Sequence, residues 1–130
     1  MDFTRRIELD TPYDDAIPRV KDALKDQGFG VLTEIDVRQT LKDKLNIDIE
    51  PQIILGACNP QLAHRALDVD RQIGLLLPCN VVVRRDGDRT VVQALDPQVM
   101  VSLPGQPELQ GVADEAAKRL GAALEAVAAG

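Results

Sequence analysis

Alternating apolar and polar residues open the chain and predict its first strand. Phe3, Ile7 and Leu9 lie on one side of a period of two, and polar side chains occupy most of the other side. This pattern is typical of a half-buried strand. Residues 30–37 alternate in the same way, and residues 52–57 form a third apolar run. The first half of the chain therefore contains three predicted strands.

Two further apolar segments, residues 75–85 and 89–95, flank the link Asp86-Gly87-Asp88. A short polar link with a glycine predicts a β-hairpin, because glycine readily adopts the positive φ of such a turn. Pro78 lies inside the first segment and cannot donate to a sheet ladder, so we expect a bulge or an edge position there. The hairpin brings the number of predicted strands to five.

Apolar residues at helical spacing predict a first helix between the first two strands. Thr11-Pro12 resembles an N-cap followed by proline at the first helical position, and Gly28 is the expected end. Pro18 predicts either a later start near Asp14 or a kink, because proline interrupts the interior of a helix. The apolar face of this helix is made up of Tyr13, Ile17, Val20 and Leu24.

Three further helices are predicted. Residues 38–45 form a short helical stretch, and Asn59-Pro60 repeats the cap and proline signal before a second short helix. The apolar stripe of that helix contains Leu62, Ala63, Ala66 and Leu67. The C-terminal helix has a longer, alanine-rich stripe, composed of Leu109, Val112, Ala116, Leu120, Ala123 and Val127.

These elements predict one α+β domain spanning residues 1–130, with the order β-α-β-β-β-β-α and short helices inserted. We expect an open, mostly antiparallel sheet with helices packed on one face. The other face carries either solvated side chains, with Glu34, Asp36, Arg84 and Gln93 as candidates, or apolar ones, with Ile54, Leu76 and Val82. A partly apolar open face predicts a homodimer.

Composition excludes several classes of partner. The net charge is −6 and the longest basic runs are two arginine pairs, which argues against nucleic acid because binding to phosphate requires clustered cations. The longest strongly apolar run, residues 73–83, is about half of a membrane span, so we expect no membrane partner.

Residues 1–10 lack the apolar core of an export signal, which predicts a cytoplasmic protein. Both cysteines are then expected to be free thiols.

Cys58 is the strongest candidate for chemistry, because it ends a strand and directly precedes the Asn59 cap of a helix. A helix start favours negative charge, so we expect a lowered pKa at Cys58 and a ligand bound there. His64 lies about one turn into the same helix, and its imidazole leans back towards the thiol. The alternative is a buried cysteine at a tight corner, with a boundary histidine that makes one hydrogen bond.

Cys79 falls in step with the apolar residues of its strand and most simply belongs to the core, unless Pro78 re-aims it. If Cys58, His64, Cys79 and Met100 converged, the set would suit a soft ion such as Cu(I), or zinc without the methionine. The spacing alone supports this metal site weakly, because the chain has no C-x-x-C and no H-x-x-x-H motif.

Several motifs resemble the bacterial and archaeal domain-of-unknown-function family three hundred and two. They are residues 28–36 (GFGVLTEID), 55–60 (LGACNP), 63–67 (AHRAL), 77–81 (LPCNV) and Asp96-Pro97. The resemblance covers nearly the whole chain and implies a fold similar to the TATA-binding-protein-like class, together with a homodimer. Pro18 departs from what the first helix of that family would have. The resemblance implies no activity, and the fold analogy does not imply DNA binding.

Three hypotheses follow for function. The first is a small binding module whose ligand, a soft metal, a sulfur species or a small anion, lies at the helix start after Cys58, with Asn59, His64 and Cys79 as further ligand-binding residues. The second is a dimeric structural or interaction protein in which both cysteines are packing residues. The third is a thiol-dependent enzyme with His64 as its base, which lacks a nameable orienting partner.

Overall fold

The computed structural model describes residues 3–130. Within this range the strands are β1 (Thr4–Leu9), β2 (Gly30–Asp36), β3 (Gln52–Cys58), β4 (Cys79–Asp86) and β5 (Arg89–Leu95). The α-helices are α1 (Tyr13–Asp26), α2 (Val37–Leu45), α3 (Pro60–Val69), α4 (Val99–Ser102) and α5 (Gln110–Ala129). Two short 3-10 helices, Arg71–Leu76 and Pro107–Leu109, lie in the connections.

The five strands form one open sheet in the order β1-β5-β4-β3-β2, with every neighbouring pair antiparallel. This arrangement confirms the predicted α+β class and the mostly antiparallel sheet. Helices α1 and α5 cover one face, because their apolar stripes bury Val20, Leu24 and Leu120 against Leu55 and Val81 of the central strands. Within residues 3–130 no helix is both long and apolar enough to cross a membrane.

Helix α1 begins one residue later than predicted and continues through its proline. Pro12 occupies the N-cap position, so Tyr13 is the first helical residue. Pro18 lies inside the helix, and its side chain is exposed to solvent. Proline at this position removes the hydrogen bond to the carbonyl of Asp14, which belongs to the exposed first turn where water can replace the donor. The helix therefore includes Pro18 in its interior and begins at Tyr13.

Strand β4 begins at Cys79, so the prediction that it starts at Leu75 is wrong. Residues before Pro78 form a 3-10 helix in which Ile73 is buried and Leu75 is exposed, and the Leu77–Pro78 peptide bond is cis. Proline has no N–H for the ladder, and the strand accordingly begins after it. The apolar run over residues 75–77 is thus divided between a helix and a connection.

The open face of the sheet differs in part from the prediction. Glu34 forms an ion pair of 2.6 Å with Lys21 of α1, so this carboxylate lies on the helix side of the sheet. Leu76 packs against a buried cluster beside α3 rather than on the sheet. The register instead aligns Ile35, Ile54, Val82 and Gln93 in one row across β2 to β5.

Candidate functional site

A second apolar cluster lies beyond the ends of β3 and β4, separate from the main core. Helices α3, α4 and α5 and the two 3-10 helices enclose it through the buried residues Leu62, Ala66, Ile73, Met100, Leu109, Val112 and Ala116. A cavity of about 20 Å³ remains between this cluster and the sheet. It is lined by Phe29, Ala57, Cys58, Asn59, Leu62, Ala63, Leu77, Cys79, Met100, Val112 and Ala116. Apart from Asn59, the lining side chains are apolar or contain sulfur.

Three sulfur-containing residues line this cavity, and three different elements supply them. Cys58 is the last residue of β3, Cys79 is the first residue of β4, and Met100 comes from α4. Cys79 is 9% exposed and Met100 is 6% exposed, whereas Cys58 is half-buried. We refer to Cys58, Cys79 and Met100 as the sulfur cluster.

Two glycines permit close approaches around the end of β3. A Cβ atom added to Gly56 would collide with the Thr33 hydroxyl and would lie 3.0 Å from the ring of Pro78. A Cβ atom on Gly28, where φ is +84°, would lie 2.9 Å from the side-chain nitrogen of Asn59. Both glycines therefore let neighbouring segments pack tightly around Cys58.

Burial raises the pKa of both thiols. For Cys58 the cause is desolvation, since an ionised sulfur is less stable away from water. For Cys79, desolvation again raises the pKa, and the negative charge of an ionised Cys58 raises it further. The prediction of a lowered pKa at Cys58 is therefore wrong in direction.

The start of α3 is capped by the residue that follows Cys58. The side-chain oxygen of Asn59 accepts from the N–H of Leu62 at 3.2 Å, and its backbone carbonyl accepts from Ala63 at 2.9 Å. Pro60 has no N–H. Asn59 thus acts as a helix cap, and its side chain occupies one of the N–H groups that a ligand at the helix start would use.

His64 does not join the cysteines. Its side chain is 77% exposed, and its Nε2 lies 3.7 Å from a carboxylate oxygen of Asp68 one turn later. The apolar stripe of α3 faces the cavity through Leu62 and Ala66, and His64 is two residues from each, on the opposite side of the helix. The prediction that His64 approaches Cys58 is wrong, and the thiol-enzyme hypothesis loses its base.

The zinc site considered from sequence is also lost. Among the residues that the structure describes, no three side chains of His, Cys, Asp or Glu come together in a group suited to a metal ion. A structural zinc site almost always needs four such ligands. Of the predicted Cu(I) set, Cys58, Cys79 and Met100 line one cavity, whereas His64 does not.

Sequence reasoning missed most of the residues that enclose the cavity. Val112 and Ala116 lie one turn apart on the predicted stripe of α5, but periodicity shows which side of a helix is buried and not what it packs against. Phe29 is a single apolar residue in a connection, where no periodic pattern exists, and Leu77 belongs to a run that was predicted to be part of a strand. Cys58, Asn59, Cys79 and Met100 are the candidate residues named from the sequence that do line the cavity.

The comparisons with known proteins agree with this architecture. Residues 5–127 match the DUF302 family, described as a domain of unknown function. The chain is also similar to the crystal structure of an uncharacterised conserved DUF302 protein from Bacillus stearothermophilus, with 33% identity and a TM-score of 0.90. That similarity covers 97% of this chain and 98% of the other. A comparison with curated proteins finds no match. The chain therefore belongs to the DUF302 family.

Proposed function

We propose that this protein is a binding module for a soft, monovalent metal ion such as Cu(I), held by Cys58, Cys79 and Met100. The observation that carries the proposal is the convergence of the sulfur cluster on one cavity that otherwise has an apolar lining. Thiolate and thioether ligands select soft ions, whereas Mg²⁺ and Ca²⁺ require oxygen ligands. The proposed site is the cavity lined by Cys58, Cys79 and Met100, and the N–H groups at the start of α3 take no part in it.

The size of the cavity favours a bare ion. A cavity needs about 10–15 Å³ to hold one water molecule, and this cavity measures about 20 Å³. A water there would find few of the polar partners that it needs, because most of the lining is apolar. A soft ion loses less solvation free energy than a water molecule or a hard ion would, because sulfur ligands replace its hydration shell. The cavity therefore suits one ion per chain.

The raised pKa values make metal binding dependent on pH. Both thiols are protonated at neutral pH and must lose their protons to coordinate a metal. Binding therefore releases protons, and the affinity rises as the pH increases towards the pKa of each thiol. A site made only of the Met100 thioether would show no such dependence.

Anaerobic titration of reduced protein with Ag(I), a soft ion that does not cycle between oxidation states as copper does, tests the proposal. Native mass spectrometry should show one ion per chain. Cys58→Ser and Met100→Leu should each weaken binding at least by the roughly tenfold that the loss of an outer-shell partner costs. His64→Ala is the matched control and should bind like the wild type, since this imidazole lies outside the cavity. Equal binding by all four proteins would refute the site.

The second candidate is the predicted homodimer, with function on the open face of the sheet. Ile35, Ile54 and Val82 form an apolar row across three strands, and Ile35 is 49% exposed. Apolar surface of this kind is a common site of protein association. A stable dimer typically buries about 800 Å² on each partner, so the interface would extend across most of this face. In this candidate the cysteines serve only packing.

Light scattering over a wide range of concentration tests the dimer. Wild-type protein should have twice the mass of the chain, and Ile54→Lys should have the mass of one chain, because it places a charge at the centre of the row. Lys118→Glu on the exposed side of α5 is a control and should remain dimeric. A monomeric wild type at every concentration would exclude this candidate.

A further inference from the structure

We infer that the cleft between α3 and α5 binds a small oxyanion of the phosphate class, held by side-chain N–H groups of Asn59, Arg65 and Arg119. Polar side chains of both helices line this cleft, which has a volume of about 230 Å³. Pockets for drug-sized ligands have volumes of about 300–1,000 Å³, so this cleft suits a smaller molecule. The sulfur cluster lies outside its lining. The inference is therefore independent of the proposed metal binding.

Arg65 extends from α3 across the cleft to α5. Its Nη2 atom would lie 3.8 Å from a Cβ atom added to Gly111, in the first turn of α5. The residue is exposed, and among the residues that the structure describes it makes no hydrogen bond and no ion pair. A guanidinium group has five N–H donors. All five are available to a ligand in the cleft.

Arg119 is held by two hydrogen bonds and still has free donors. Its Nε donates to Glu115 at 2.8 Å, and its Nη1 donates to the carbonyl of Gln27 at 3.3 Å. These bonds fix the guanidinium at the wall of the cleft. Its Nη2 atom donates to no residue within 3–130. A ligand would thus meet a charge that is already positioned, which lowers the entropic cost of binding.

Asn59 supplies a donor that is 8% exposed. Its side-chain oxygen accepts from Leu62, whereas its amide nitrogen donates to no described residue. A Cβ atom added to Gly28 would lie 2.9 Å from this nitrogen and 3.2 Å from Nη1 of Arg119, so the amide and the guanidinium approach one point. A largely buried amide without an acceptor costs free energy. An oxygen atom of a ligand in the cleft would supply that acceptor.

The charge of the cleft favours an anion, although the net charge of the chain is −6. Two guanidinium groups and one carboxylate, that of Glu115, line it, and the start of α3 adds the positive end of its dipole. The hydrogen bond from Arg119 lowers the pKa of this carboxyl group, and nearby positive charges, including those of Lys118 and Arg65, lower it further. The local potential is therefore positive.

The arrangement of the donors favours a phosphate over a carboxylate. Three separate groups offer N–H donors, namely the amide of Asn59 and the guanidinium groups of Arg65 and Arg119. A carboxylate has two oxygens in one plane, so it would leave one of these groups without a partner. A phosphate has at least three acceptor oxygens that point in different directions. Inorganic phosphate and a phosphate monoester share this chemistry.

Calorimetric titration of metal-free protein at low ionic strength, in a buffer without phosphate or sulfate, tests the site. Inorganic phosphate should bind once per chain, and acetate should bind at least about tenfold more weakly because it satisfies fewer donors. Arg65→Gln should weaken phosphate binding by about tenfold or more, since a charge-assisted hydrogen bond is lost. Arg71→Gln is the matched control, because it removes the same charge from another exposed arginine outside the cleft, and it should bind like the wild type.

Two further measurements complete the test. In NMR spectra, the side-chain amide signals of Asn59 should shift as phosphate is added. Titration with glycerol 3-phosphate distinguishes the sources: tighter binding than inorganic phosphate identifies an ester, weaker binding identifies the free ion, and either result supports the site. Arg65 makes no bond within the described chain, so Arg65→Gln should unfold like the wild type. No phosphate binding, equal weakening by Arg65→Gln and Arg71→Gln, or acetate binding as tight as that of phosphate would overturn the inference.

Discussion

The two apolar clusters of this protein are built from different kinds of side chain. The main core, between the sheet and helices α1 and α5, contains the fully buried branched residues Leu24, Leu55, Val81, Val83 and Leu120. The smaller cluster beyond the strand ends includes Met100, borders both cysteines and keeps a cavity. Rigid, close-packed branched side chains determine stability, whereas methionine and cysteine adapt to irregular space. The comparison separates the region that holds the fold from the region available for chemistry.

The largest expected effect is that of a truncation in the main core. Leu55→Ala should lower the free energy of unfolding by about 3–5 kcal/mol, because Leu55 is fully buried in the central strand and its neighbours cannot close the space. Met100→Leu, which conserves volume in the smaller cluster, should lower it by less than about 1.5 kcal/mol. Urea denaturation with an unchanged slope measures both values. Leu32→Ala, at a leucine 67% exposed, is the control and should change stability by about 0.5 kcal/mol or less. Equal losses for Leu55→Ala and Met100→Leu would remove the distinction between the two clusters.

Much of the fold was predictable because it is periodic. The strands of the sheet and the stripe of α5 have repeats of two and of three to four residues, and a repeat of this kind identifies both the element and its buried side. The run Leu75-Leu76-Leu77 has no repeat, so its length and apolar character fitted a strand as well as a helix. Register and face were also beyond prediction for β2, where a bulge between Val31 and Thr33 shifts the following residues to the other side.

The candidate site was predictable only in part. Position in the sequence placed Cys58 at a helix start, but the electrostatics of a helix start depend on how many N–H groups already have partners. Asn59, correctly predicted to be a cap, satisfies one of those N–H groups. The prediction for His64 used its distance along the helix from Cys58, but the contacts of a helical side chain also depend on its direction around the helix. Cys58, Cys79 and Met100 line one cavity because of tertiary packing, and no local sequence pattern contains that information.

The second prediction concerns the cap that joins the two regions. Asn59→Ala should lower the free energy of unfolding by about 1–2 kcal/mol, because the N–H of Leu62 loses its acceptor in a buried setting. Asn59→Asp keeps an acceptor at the same place and should recover most of this loss. The aspartate also places a negative charge beside Cys58, which should slow alkylation of that thiol near neutral pH. A stable Asn59→Ala protein would mean that α3 does not need its cap to enclose the cavity.

The smallest expected effect is a fall in stability at alkaline pH that depends on Cys79. Burial and the neighbouring Cys58 raise the pKa of Cys79 in the folded protein, whereas an unfolded thiol ionises near pH 8.5. Above that value the unfolded chain has lost a proton that the folded chain retains, so stability falls as the pH rises. At pH 9 this one thiol accounts for at most about 0.8 kcal/mol. Urea denaturation at pH 7 and pH 9 measures the fall.

Cys79→Ala isolates this contribution, because it removes the thiol while leaving the other titrating groups in place. The variant should be less stable at both pH values owing to its smaller side chain, yet its loss between them should be smaller than that of the wild type. Tyr13, whose pKa is also raised by burial, ionises at higher pH and is present in both proteins, so its effect cancels in the difference. If both proteins lose the same amount, Cys79 ionises as readily in the folded state as in the unfolded state. The cavity would then be open to water, and the sulfur cluster would differ from the main core in hydration as well as in composition.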